Sequence, residues 1–282
     1  MLVAQLLVSL SSVITKQLDP DMPIFQLLFY RQGFSTLMLI PLLFLILNKP
    51  KISQFQILHF SRSLLIVVGN MAFLIALQHL PLVTVTAVFY LAPMLLVICS
   101  AFFLAERVTK QRLATVAIGF VGILIIARPS QSNTYIMFAF LCAITVALNT
   151  VLVKRIANKE QVLVSVFTSN IYTMLILVPL VYWENKPITN NILIAGFWLG
   201  LLYIGITYLI IIALRRADAS SLAPADYFGL VFAAILGDIY FDDPISLWMS
   251  IGIIVVLFSI VIPMFLANKV EVESNSHEPY DH

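Results

Sequence analysis

Charge is scarce in this chain. Only 11% of its 282 residues are Asp, Glu, Lys or Arg, while 61% are hydrophobic. A soluble domain carries about a quarter charged residues, and a folded chain in water still needs a wettable exterior. That scarcity excludes an ordinary soluble globule and leaves lipid as the solvent. The formal net charge of +2 says nothing about nucleic acid, and no nucleic-acid partner is expected. Cysteine is nearly absent. Cys99 and Cys142, each inside an apolar run, make neither a disulfide framework nor a metal cluster. The histidines, His59, His79, His277 and His282, lack metal-ligand spacing, and no HExxH, Ser/His/Asp set or phosphate-cradling glycine loop is found. Neither a catalytic centre, nor a metal or other cofactor, nor an ATP-binding subunit is expected.

What the chain has in quantity is long apolar runs. A span needs about 20 apolar residues, because hydrocarbon is about 30 Å thick and a helix rises about 1.5 Å per residue. Ten runs qualify, near 1–18, 22–47, 58–79, 82–104, 111–128, 135–154, 162–183, 190–213, 219–240 and 245–267. The N-terminus lacks the basic region and cleavage site of a signal peptide, so its first run is expected to be a retained span. Basic residues gather in cytoplasmic loops. With the N-terminus inside, the inner ends carry Lys49, Lys51, Arg62, Arg107, Lys110, Arg112, Lys154, Arg155, Lys159, Arg215, Arg216 and Lys269. The outer ends carry only Lys16, Arg128 and Lys186. This bias predicts an all-α, polytopic bundle of ten transmembrane helices in a bacterial-type inner membrane, both termini cytoplasmic. Residues 269–282 are polar and acidic and are expected to form a disordered cytoplasmic tail.

The two halves echo each other. At a shift of 137, Ala76-Leu77 meets Ala213-Leu214, Tyr90 meets Tyr227 and Glu106 meets Asp243; at 138, Lys16 meets Lys154 and Pro41 meets Pro179. Each half, 1–130 and 131–268, holds five predicted spans. An odd number makes the second half enter the membrane from the opposite side, giving two inverted five-helix repeats. That architecture suits a secondary transporter with its site near the midplane.

The stretch 76–129 carries Pro93, a Leu104-Ala105-Glu106 end and a small-residue fifth span. It resembles the hallmark of the drug/metabolite transporter superfamily, EamA type. Residues 213–267 repeat it, with FDDP at 241–244 in place of the usual Gly-Glu. Within that superfamily, HFSRSLLIVVGNMAFLIAL (59–77) and DASSLAPADYFGLV (218–231) are similar to the S-adenosylmethionine uptake branch. Asp226 departs from it, standing where that branch tends to have a basic or neutral residue. The resemblance implies a carrier that moves a small polar metabolite by alternating access, either an amino-acid-like compound or an S-adenosylmethionine-like cation. A coupling proton or an exchanged metabolite would drive it. The alternative reading is an integral membrane enzyme or a channel, acting on a lipid precursor or an ion.

Ionisable groups within spans are costly and tend to be functional. Arg31 and Asp226 are predicted near the midplane from opposite sides, facing the substrate or pairing with each other. Tyr90 and Tyr227, the repeat-related pair, offer flat faces and hydroxyls to a bound group. Asn70, Asn149 and Asn170 need polar partners in lipid and are expected to face the interior. Asn149-Thr150 corresponds to Ser11-Ser12, which predicts a polar patch on spans 1 and 6. Glu106 and Asp243 are each expected to cap the helix that follows. Gly196 and Gly200 form a GxxxG spacing that predicts close helix packing.

Overall fold

The computed structural model describes residues 1–19, 22–46, 53–106, 108–127, 134–241, 247–248, 250–256 and 258–259. Helices follow one another as α1 (Leu2–Lys16), α2 (Ile24–Ile46), α3 (Gln56–His79), α4 (Leu82–Phe89), α5 (Leu91–Phe103) and α6 (Lys110–Ala127). They continue as α7 (Ile136–Ala157), α8 (Val162–Glu184), α9 (Asn190–Arg216), α10 (Ala219–Asp226) and α11 (Phe228–Phe241). Residues 250–256 are also helical. The rest of the predicted span 245–267 lies largely outside the described residues, as do Asp243 and the tail.

Among the described residues, six helical stretches are long and apolar enough to cross a membrane: Ile24–Leu45, Gln56–His79, Thr84–Phe103, Ile136–Ala157, Val162–Glu184 and Asn190–Arg216. Polarity runs inside out. Phe102 is 82% exposed and Ile57 81%, whereas His59, Gln32 and Asn170 are fully buried and Arg62 is 1% exposed. Only an apolar solvent makes that arrangement favourable, because buried amides and guanidiniums find partners inside while hydrocarbon accepts the bare side chains outside. The chain is a multi-pass membrane protein.

Among the described residues, two predicted spans are broken. The run at 82–104 divides at Tyr90 and that at 219–240 divides at Tyr227. Pro93 accounts for the first break, since it has no N–H for the carbonyl of Phe89 four residues earlier and its ring crowds that turn. At the second, the Leu230 amide closes a tight turn onto the Tyr227 carbonyl at 3.0 Å. Pro41 and Pro179, by contrast, sit inside unbroken α2 and α8.

α2 lies against α8 and α9, and α3 lies against α7 and α8. The α2–α9 contact depends on the two glycines. A Cβ on Gly200 would come within 2.7 Å of the Arg31 carbonyl, and one on Gly196 within 2.9 Å of Tyr30 Cβ. Their hydrogens let the backbones touch, so the GxxxG spacing fixes the height at which Arg31 stands.

Carboxylates and basic groups cap helices other than their own. Glu106 Oε1 accepts from the Ala219 amide at the start of α10, at 3.2 Å. The turn after α5 brings that carboxylate to the positive end of α10. Glu184 accepts from the amides of Phe25 and Gln26 in the first turn of α2. Lys154 of α7 donates to the Leu214 and Ala217 carbonyls at the end of α9. Arg215 of α9 returns the bond to Ala157 and Glu160 at the end of α7.

Candidate functional site

A cavity of about 240 Å³ opens between α1, α3, α7 and α9, with Arg31 of α2 and Phe89 of α4 completing its wall. α1 contributes Val8, Ser11, Ser12 and Thr15, and α7 contributes Thr145, Val146, Asn149 and Thr150. The polar patch expected on spans 1 and 6 therefore faces one space. A second hollow of about 240 Å³ shares Thr15 and Leu74 with the first and leads toward the α1–α2 connection.

Of the sequence-predicted residues, the cavity gathers Arg31, Asn70 and Asn149. Arg31 Nη1 donates to Asn70 Oδ1 at 3.2 Å, and Asn70 Nδ2 holds the Ile66 carbonyl at 2.6 Å. The Arg31 guanidinium carbon lies 5.0 Å from the centre of the Tyr203 ring, a cation–π contact. Its Nε is buried without a partner.

Asp226, Tyr90 and Tyr227 lie together outside this wall. Gln5 joins them, donating from Nε2 to Asp226 Oδ1 at 2.6 Å and accepting from the Tyr90 hydroxyl at 3.0 Å. The two tyrosine rings are 6.4 Å apart, and the buried Tyr227 hydroxyl has no partner. Arg31 and Asp226 thus hold separate partners rather than each other. Asn170 lies in the α2–α8 seam, where it accepts from Gln32 at 2.5 Å and donates to Ser35 at 2.9 Å.

Sequence reasoning missed Arg62. It was counted with the inner-end charges, yet the structure buries it at the cavity wall. Its guanidinium reaches Asn149 Oδ1 at 3.4 Å, Ser165 Oγ at 3.0 Å and His59 Nδ1 at 3.3 Å. His59 Nε2 in turn meets Glu160 Oε2 at 2.8 Å. Helical spacing held the signal: Arg62, Ile66, Asn70 and Phe73 recur on one face of α3. Tyr203, Thr207 and Ile210 do the same on α9.

This polar chain runs from the cavity wall at Arg62 to the α7–α8 connection. Half-burial in the α7–α8 connection works against the charged form of Glu160, but the hydrogen bond and charge of His59 and the charge of Arg62 outweigh it and hold the carboxyl below its usual range. Among the described residues, no group of three His, Cys, Asp or Glu side chains lies placed to hold a metal.

Comparison with known proteins gives this geometry a context. The EamA-like transporter family matches residues 1–128 and again 133–265. An S-adenosylmethionine uptake transporter of Rickettsia felis is 27% identical over 83% of this chain and 81% of its own. A riboflavin transporter of Brucella anthropi is 29% identical over 70% of this chain and 73% of its own. A pseudopaline exporter of Pseudomonas aeruginosa is 23% identical over 90% and 91%. A crystal structure at 20% identity aligns with a TM-score of 0.75 over 94% of this chain and 95% of its own, a likeness that shows the fold alone.

Proposed function

The chain belongs to the EamA-like transporter family, a small-metabolite transporter by that membership, and we propose that it carries an amino-acid-like or S-adenosylmethionine-like compound through the Arg31–Asn70–Asn149 cavity by alternating access. The observation that carries this reading is the cavity itself: it is membrane-embedded, walled by four helices, and lined by guanidinium, amide and hydroxyl groups. The names of the relatives support a small polar solute and both directions of flux.

Alternating access calls for two halves that can exchange roles. Support for inverted repeats comes from contacts between corresponding residues. Gln32 meets Asn170, and Thr36 meets Met174, each at a sequence separation of 138. Tyr90 faces Tyr227, and both stand at helix breaks. Corresponding residues touch where a pseudo-two-fold axis passes between them. The cavity walls fit the same relation, since α1 corresponds to α7 and α3 to α9. Ten spans and cytoplasmic termini are the topology this symmetry and the charge bias favour.

The polar chain Glu160–His59–Arg62 then acts as the inner gate, and the hollow beside Thr15 as the outer approach. The test uses Thr150→Cys in a background with Cys99 and Cys142 replaced by serine. A membrane-impermeant thiol reagent should reach it from the outer face without substrate, and from the inner face once S-adenosylmethionine is added. Labelling from one face only, whatever is added, would sink alternating access.

A further inference from the structure

On the reading that this cavity is the transport site, we infer that it recognises a zwitterionic amino-acid head, with the carboxylate on Arg31 and the ammonium on the hydroxyl wall of α1 and α7. Among the described residues, the cavity lining includes two guanidiniums, Arg31 and Arg62, and no Asp or Glu. Arg62 is answered by the protein, through Asn149, Ser165 and the His59–Glu160 pair. Arg31 is not. Its polar bond is the one to the neutral Asn70 amide, its Nε is unpartnered, and among the described residues no carboxylate pairs with it. A charge held in a low-dielectric site without a counter-ion is costly, and a guanidinium fork is the natural partner of a carboxylate.

The hydroxyls that α1 and α7 bring to the same cavity have the complementary polarity. The hydroxyls of Ser11, Ser12, Thr15, Thr145 and Thr150 each lie 2.7–3.1 Å from a backbone carbonyl on their own helix. A carbonyl only accepts, so each hydroxyl spends its hydrogen there. What remains for the cavity is oxygen lone pairs, which an ammonium group can use and a second carboxylate cannot. Arg31 thus donates while the α1 and α7 hydroxyls accept, which is the pattern of an α-amino acid head rather than of a bare cation or a neutral ring system.

Thermal stabilisation of the detergent-purified protein tests this with matched probes: methionine, methioninamide and N-acetylmethionine, and S-adenosylmethionine with its decarboxylated counterpart. The free amino acids should bind at least about tenfold more tightly than the partners lacking either charge. In Arg31→Gln the preference for the carboxylate should vanish while the preference for the free amine persists. The unliganded variant should melt no lower than the wild type, because an uncompensated charge has been removed. Equal binding of acid and amide, equal binding of free and acetylated amine, or stabilisation by none of the amino acids would overturn the inference. So would an unliganded Arg31→Gln protein melting several degrees lower, which would make Arg31 a packing residue. Transport itself is read separately, from flux in vesicles, so a carrier that ignores these charges would refute the zwitterion and leave the transport reading in place.

Discussion

Two arginines of the same cavity meet different fates because their neighbours differ. Arg62 is fixed by three polar partners and by a carboxylate one residue further out, whereas Arg31 holds one amide and a ring face. The Glu160 end of that chain titrates. Its folded pKa lies below the unfolded value of about 4.3, so its contribution to stability is present above that value and is lost as pH falls through the folded pKa. The melting temperature of the wild type should therefore drop more steeply below about pH 4 than that of Glu160→Gln; parallel curves would show the carboxylate to be uncoupled. Asp226 calls for a different expectation. Its Oδ1 accepts from Gln5 outside the cavity wall, and an asparagine keeps that acceptor. Asp226→Asn should retain ligand preference, while Asp226→Leu strands the Gln5 amide and should cost about 1–3 kcal/mol, read from thermal melts.

Helices set where these groups stand. The closeness of α9 to α2 hangs on Gly200, whose added Cβ would press on the Arg31 carbonyl. Gly200→Ala should destabilise by about 1–3 kcal/mol through overpacking and weaken ligand binding together, since it pushes on the backbone of Arg31. Gly205→Ala, whose Cβ would rest 3.4 Å from Leu7 Cδ1, should change neither. Melting curves with and without ligand separate the two. At the Glu160 end, α7 and α9 cap each other through Lys154 and Arg215. In the sequence both read only as charges that set orientation. Their second role depends on the two helices ending side by side, which no local pattern announces.

Across the whole chain, much of the architecture is written in hydropathy, because lipid imposes a length and a polarity that short windows reveal. Arg31, Asn70 and Asn149 stand out in the sequence because a polar group in lipid must find a partner, and the structure brings all three to one space. The same logic singles out Asp226 and Asn170, but it cannot say which of several interior seams satisfies them; Gln5 and Gln32 do so, from helices distant in sequence. Arg62 escaped because it lies near a predicted span end, where a basic residue usually marks sidedness rather than a site. Pro93 and Pro224, in-span prolines that can bend a helix, stand three residues from the breaks at Tyr90 and Tyr227, but a hydropathy window averages over the breaks themselves. The measurement that tests the account most directly is counterflow, into proteoliposomes preloaded with the unlabelled compound, of whichever labelled amino acid, methionine or S-adenosylmethionine, stabilises the protein. The account predicts a transient accumulation of label above equilibrium with the wild type, and none with Arg31→Gln. Simple equilibration without an overshoot, as through a channel, or an undiminished overshoot with Arg31→Gln, would contradict it.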